Sequence, residues 1–141
     1  MSNPNLIEFL KTGWSAEAEA LLQEATGSNP SYTVNELRYE VESGKSRLMM
    51  VIDHNTGKPV HLGYIVAWIE PFGGNNELVL QAGAAFVNTL QKAGYIAPAL
   101  RRLMNENRCV SMRAHTDNKA MVRALRRAGF VQAEVVMRFG E

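Results

Sequence analysis

The residues from Gln91 to Phe130 carry the densest chemistry in the chain. A glycine-containing turn, Gln91-Lys92-Ala93-Gly94-Tyr95-Ile96, leads into a basic helix, a short strand ending near His115, and Asp117-Asn118 opening a further helix that closes on Gly129-Phe130. A strand feeding a turn at a helix N-terminus leaves backbone N–H groups without helical partners, and these donors bind anions. The first half of the stretch therefore points to a phosphate-bearing ligand. Upstream, Ala82-Gly83-Ala84-Ala85 puts small residues inside a strand pattern, which is tolerated where a bulge or the close approach of another backbone or ligand needs room. Arg101, Arg102, Arg108, Arg113, Arg123, Arg126 and Arg127 give two basic helix faces. No aromatic residues are interleaved with them as a stacking platform, so they read as solvated and nucleic acid is not an expected partner. Cys109 starts its strand at the end opposite the cleft and reads as a small buried hydrophobe.

The chain that must position these groups has 141 residues, 46% of them apolar, enough for one domain with a real core spanning residues 1–141. Its net charge of +1 supplies no overall field for nucleic acid or membrane. A single cysteine and three scattered histidines argue against a disulfide or a structural metal, and a reducing, cytoplasmic setting is expected. The start, Met1-Ser2-Asn3-Pro4-Asn5, lacks the basic and apolar regions of a cleaved signal, and no window approaches the roughly 20 apolar residues of a membrane span.

Apolar spacing predicts a strand over 6–10 and a helix over 16–25 behind Ser15. Thr33 with Glu36 has capping-box spacing and opens a second helix that Gly44 stops. Residues 48–52 and 60–69, joined through Asn55-Thr56-Gly57, read as a hairpin, 71–76 as a Gly/Asn loop, and 78–87 as a third consecutive strand. Pro98 reads as a first-turn residue of the next helix, with Ala97, Leu100, Leu103 and Met104 as its apolar stripe and Arg101, Arg102 and Asn105 facing out. A strand over 108–114, a helix capped by Asp117 and Gly129, and a strand over 131–139 complete the order. The fold class is thus α/β with a mixed sheet: strand, two helices, three strands, helix, strand, helix, strand, with helices on both faces. In such sheets ligands sit beyond the carboxyl ends of parallel strands, here between the strands ending near Val87 and near His115.

These motifs resemble the GNAT superfamily of acyl-CoA-dependent N-acetyltransferases. The resemblance covers the whole chain in element order and is strongest from Phe86 onward. The family's [Gln/Arg]-x-x-Gly-x-[Gly/Ala] loop is matched at Gln91 and Gly94 and departs at Ile96. Its Asn-x-x-Ala pattern with a later Gly-Phe is matched at Asn118, Gly129 and Phe130, with Met121 in place of alanine. The resemblance implies that acetyl-CoA, as co-substrate without a metal, lies against Phe86, Val87, Gln91, Lys92, Ala93, Gly94, Tyr95, Ile96, Ala97 and Asn118. It implies direct attack of a bound amine on the acetyl carbon, with a backbone N–H between Gly83 and Phe86 polarising the carbonyl.

The amine must be neutral to attack, and His115 is the base candidate that sequence places best, with Glu77 and Glu70 behind it. Each has a plainer reading: His115 as the start of a turn, Glu70 as a solvated strand end, Glu77 as a loop residue. Asn118 either binds cofactor or supports its helix start. Where the family often has a tyrosine proton donor this chain has Leu125, and Pro98 removes a donor from the expected pyrophosphate turn. Those losses also fit a second reading, a catalytically decayed GNAT-like fold kept as a binding or structural module, which looks like small GNAT-like proteins encoded by tailed phages. The acceptor amine, small molecule or protein, carries no label in the sequence, and a homodimer is compatible with it. The Gly73-Gly74-Asn75-Asn76 loop and the 27–33 connection are expected to border the acceptor pocket.

Overall fold

The computed structural model describes residues 6–26, 33–86, 93–114, 126 and 129–131. Among the described residues five strands form one sheet in the order β1-β2-β3-β4-β5: β1 Ile7–Thr12, β2 Arg47–Asp53, β3 Val60–Phe72, β4 Asn75–Ala85 and β5 Ser111–Ala114. The first four pair antiparallel, and β5 runs parallel to β4. A mixed α/β sheet with three consecutive central strands is what the apolar patterning predicts. The expected last helix and strand lie mostly outside the described residues. Gly129, expected as a C-cap, has φ +99 and donates its N–H to the Arg126 carbonyl at 3.0 Å.

Helices α1 Ala16–Thr26 and α2 Val34–Glu42 share one face of the sheet. Ser15 Oγ accepts the Ala18 N–H at 3.1 Å and Thr33 Oγ1 accepts the Glu36 N–H at 3.2 Å, so each helix starts where a hydroxyl supplies its first acceptor. Their apolar stripes, Ala18, Leu22, Val34 and Leu37, bury against Leu48, Tyr64, Val66 and Ala82. Helix α3 Ala93–Glu106 covers the opposite face, with Leu100 and Leu103 on Met49, Ala67, Leu78 and Leu80, and Ala99 against Ile7, Val51 and Leu62. Contact with Leu62, whose carbonyl accepts the Phe86 N–H, puts the start of α3 at the C-terminal end of β4.

Three boundaries differ from the sequence reading. Pro71 and Phe72 belong to β3, and Asn75 and Asn76 to β4, so the expected loop shrinks to the two-residue turn Gly73-Gly74, with φ +56 and +85. Only glycine adopts two successive left-handed positions cheaply, and this mirror-image turn matches the twist of the strands it joins. Helix α3 starts at or before Ala93, so Pro98 lies inside it rather than in its first turn. Finally, β5 begins at Ser111 because Arg108 and Cys109 are spent ending α3. The Arg108 N–H bonds the Asn105 carbonyl at 3.1 Å and the Cys109 N–H bonds the Met104 carbonyl at 3.0 Å, while Arg108 takes φ +58. This is the Schellman pattern with arginine at the left-handed position.

An L-side chain pays for that conformation, so Arg108→Gly is expected to stabilise the protein by about 0.5–1 kcal/mol, read as a rise in the urea midpoint without a change in slope.

Candidate functional site

Two β-bulges shape the end of the sheet where β4 finishes. In β4 the register passes from Ala67↔Leu80 to Val66↔Ala82, leaving Gln81 as an extra residue. The parallel pairing of β4 with β5 runs from Glu77↔Ser111 to Leu80↔Ala114, the last described residue of β5. Past the bulge β4 continues to Ala85. The Phe86 N–H donates to the Leu62 carbonyl at 3.1 Å, and antiparallel alternation therefore turns the amides of Gly83 and Ala85 away from β3, toward the β5 side of the strand. Of the amides expected to polarise a carbonyl, that of Phe86 is bonded within the sheet.

The bulge is held by buried polar chemistry. Gln81 is 1% exposed and Ser46 is 3% exposed. Ser46 Oγ donates to Gln81 Oε1 at 2.6 Å, and Gln81 Nε2 donates to Glu40 Oε2 at 2.5 Å. Lys45 Nζ lies 3.5 Å from the other Glu40 oxygen and 5.1 Å from the Trp68 ring centre. The end of α2 and its following turn are thereby fastened to the extra residue of β4.

The expected anion donors around Gly94 fall at the beginning of the described part of α3, and the residues before Ala93 lie outside the described ones. Pro98 is exposed and lies within the helix, past Gly94 and Tyr95. Ile96 and Ala97 continue the helix. Val87, Gln91, Lys92, Asn118 and His115 lie outside the described residues.

Glu70 and Glu77 sit at the other end of the sheet, facing each other across β3 and β4 beside the Gly73-Gly74 turn. Their separation from the Gly83 amide is roughly 20 Å along the strands. Arg113 Nη2 lies 2.6 Å from Glu70 Oε2, Arg113 Nη1 lies 3.3 Å from Glu77 Oε1, and Ser111 Oγ donates to Glu77 Oε2 at 2.9 Å. Both carboxylates are occupied in neutralising one guanidinium, far from any acyl group at the bulge. The Gly73-Gly74 turn shares that end, so it does not border a pocket at the C-terminal end of β4. Arg102, expected to face out, is half-buried; it bonds the Ile7 carbonyl and approaches Glu106 at 3.5 Å. Cys109 is buried, and burial pushes its thiol up, as suits a packing residue.

A second constellation escaped the sequence reading. In β3 the register against β2 passes from Val51↔Gly63 to Ile52↔His61, leaving Leu62 as the extra residue. Leu62 packs on the α3 face, and His61 is carried to the α1 face, beside Phe86. Its ring meets Tyr64 edge-on at 4.7 Å and Phe86 at 5.1 Å. Its Nε2 lies 2.9 Å from the Gly63 carbonyl and its Nδ1 lies 3.8 Å from Glu17 Oε1. Tyr64 donates its hydroxyl to that same Glu17 oxygen at 2.6 Å. Strict period-two alternation puts His61 on the α3 face, so only the Leu62-Gly63 pair hinted at its re-aiming.

A concavity of about 560 Å³ lies between the end of β1 and α2, lined by Lys11, Trp14, Glu42, Ser46 and Leu48 among others, and holds none of the candidate site residues named from the sequence. Among the described residues no helix is long and apolar enough to cross a membrane, and no group of three or more His, Cys, Asp or Glu residues is placed to hold a metal ion.

Solved structures of acetyltransferases share this mixed α/β fold. A probable acetyltransferase superposes with TM-score 0.61 at 14% identity, over 95% of this chain and 96% of its own. The aminoglycoside N-acetyltransferase AAC(6')-Iy, solved in complex with CoA, gives 0.62 at 13% identity, over 100% and 96%. A transcriptional regulator from Bacillus halodurans C-125 gives 0.62 at 11% identity, over 96% and 99%. No family model matches the chain, and no curated protein matches it in sequence. The chain has a GNAT-like fold.

Two measurements test the polar groups. Gln81→Leu removes two buried hydrogen bonds, while Ser46 Oγ keeps Glu40 Oε2 within reach at 3.2 Å, and is expected to cost about 1–2 kcal/mol in urea unfolding. Burial first, then the hydrogen bond to Glu17, raise the Tyr64 phenol above its ordinary 10.0. A raised value favours the protonated form in the folded state, so this stabilisation is full below about pH 10 and is lost as pH climbs through the folded value. The midpoint of Tyr64→Phe is accordingly expected to fall less than that of the wild type between about pH 8 and about pH 10.5.

Proposed function

We propose that the chain is an acetyl-CoA-dependent N-acetyltransferase that moves an acetyl group to an amine. The observation that carries this reading is the Gln81 bulge in β4, past which antiparallel alternation turns the Gly83 and Ala85 amides away from β3, with α3 covering the sheet and leading back to the same end. Main-chain donors in that arrangement suit a thioester carbonyl at β4 and a diphosphate at the α3 N-terminus. Gly83 leaves room there: a Cβ built on it meets Ile65 Cγ2 at 3.7 Å and the Tyr64 carbonyl at 3.9 Å, ordinary contacts, so the strand is open without being hollow.

The residues of this chain would hold the co-substrate by its main-chain contacts, and the chemistry supplied by acetyl-CoA is an activated acetyl group on a sulfur leaving group. Similar solved folds support the reading, among them one in complex with CoA. The acceptor is an amine of a small molecule or a protein. Leu125, standing where the family often has a tyrosine proton donor, favours the rival reading of a non-catalytic binding module. A thiol with an ordinary value of about 8.5 still leaves tolerably as thiolate, so the substitution slows transfer without forbidding it.

Isothermal calorimetry with acetyl-CoA is expected to give saturable heat in the micromolar to sub-millimolar range, as about 5.5–8 kcal/mol of binding free energy requires. Absence of saturable heat at about 1 mM would remove the transferase reading and leave the binding module.

A further inference from the structure

We propose that His61 is the general base of the transfer, with Glu17 stabilising the imidazolium it becomes; the inference rests on the acetyl-transfer reading above. The Gly63 carbonyl, a pure acceptor 2.9 Å from His61 Nε2, fixes the proton of the neutral ring on Nε2. The lone pair is therefore on Nδ1, and among the described residues Nδ1 has no hydrogen-bond donor. Its charged neighbour is Glu17 Oε1 at 3.8 Å, held in place by the Tyr64 hydroxyl at 2.6 Å. Glu17 is thus the carboxylate that faces the ring atom which would take the proton. The His61 side chain is 23% exposed, wet enough for an acceptor to reach and packed enough, between Tyr64 and Phe86, to keep its direction.

Register brings this base to the acyl group. Gly63 stands opposite Ala85, the Phe86 N–H is bonded to the Leu62 carbonyl, and the His61 ring lies 5.1 Å from the Phe86 ring, so the imidazole sits at the end of β4 beside Ala85 and Phe86. Neighbouring strands are about 4.8 Å apart, so of the two amides that of Ala85 is the nearer to this ring, at a span a one-water relay can cover. The other described groups able to take a proton are worse placed. Glu70 and Glu77 are bound to Arg113 at the far end, and His54 is paired with Glu8 at 2.9 Å on the β1 side of the sheet.

In the step, the amine nitrogen donates its lone pair to the thioester carbonyl carbon and forms the C–N bond. The C–S bond breaks with its electron pair leaving on sulfur, the nitrogen loses one proton to His61 Nδ1, and the thiolate takes a proton from solvent. The products are the amide and the free CoA thiol, and the imidazolium returns its proton to water.

The test uses the intact chain with His61→Gln and His61→Ala, acetyl-CoA calorimetry, and release of CoA thiol with a panel of primary amines comprising an alkyl polyamine, a lysine peptide and an aminosugar. Both variants are expected to bind acetyl-CoA like the wild type and to lose about 10²–10⁴ in kcat with little change in the KM for acetyl-CoA. Added imidazole is expected to restore part of the His61→Ala rate, which a merely structural histidine would not allow. Variants within about threefold of wild-type kcat, a loss that imidazole leaves untouched, or a comparable loss confined to His115→Gln would overturn the assignment. So would acetyl-CoA that binds yet passes its acetyl group to none of the amines. Failure of the wild type to bind acetyl-CoA sinks the transferase reading itself, whereas intact binding with fully active His61 variants sinks only the base.

Discussion

One buried side chain decides how this sheet ends. Gln81 is the extra residue of β4, and its amide lies where water cannot reach it, so both of its polar atoms must find partners within the protein. Ser46 and Glu40 supply them from the turn after α2 and from α2 itself. The bulge and the seat of α2 are thus one device, and neither is stable without the other. Because a bulge breaks the ladder, the same residue resets the alternation of β4 against β3 and fixes which amides beyond it face away from β3.

A second bulge works in the opposite sense. Leu62 gives up its place in the alternation so that a leucine meets the α3 face and an imidazole meets α1. The two irregularities lie four residues apart along β3, at Leu62 and opposite Val66. On the transferase reading, β4 would supply backbone donors and β3 an acid–base side chain. At the other end, Glu70 and Glu77 stand directly opposite one another, an arrangement of like charges that is costly without the Arg113 guanidinium between them.

Much of this was legible in the residues. Thr33 and Glu36 announce α2 because a hydroxyl and a carboxylate at that spacing satisfy the helix start, and the β-branched run on either side of Asn55-Thr56-Gly57 can hardly be anything but a hairpin. Other features were hidden for identifiable reasons. Pro98 resembles a helix start by its own preference, yet Ala99, Leu100 and Leu103 bury against the sheet and the backbone ahead of Pro98 is already helical. Pro71 and the asparagines look like loop residues until Gly73-Gly74 is seen to supply the whole turn. His61 escaped because alternation is the rule that sequence patterning reads, and a bulge is a local exception to it. Glu70 and Glu77 were plausible bases by residue type alone; only the fold shows that both are committed to Arg113.

The low identity to similar folds, 11–14% at TM-scores near 0.6, has a physical counterpart in the kind of contact the open end offers. A carbonyl held by the amides of Gly83 and Ala85, and a diphosphate held by the first amides of α3, ask almost nothing of side-chain identity. They ask for a bulge in β4, a helix that begins at the right height, and small residues near the strand end. Ile96 departs from the motif in its side chain, but its backbone continues the helix that presents the amides before it. Recognition built on main chain survives extensive substitution as long as packing holds the backbone, whereas proton transfer does not, because it needs one basic atom in one place. On the transferase reading, sequence drift is therefore expected to spare the donor array and to change which side chain serves as base, and in this chain the backbone geometry around Leu62 puts an imidazole in that place.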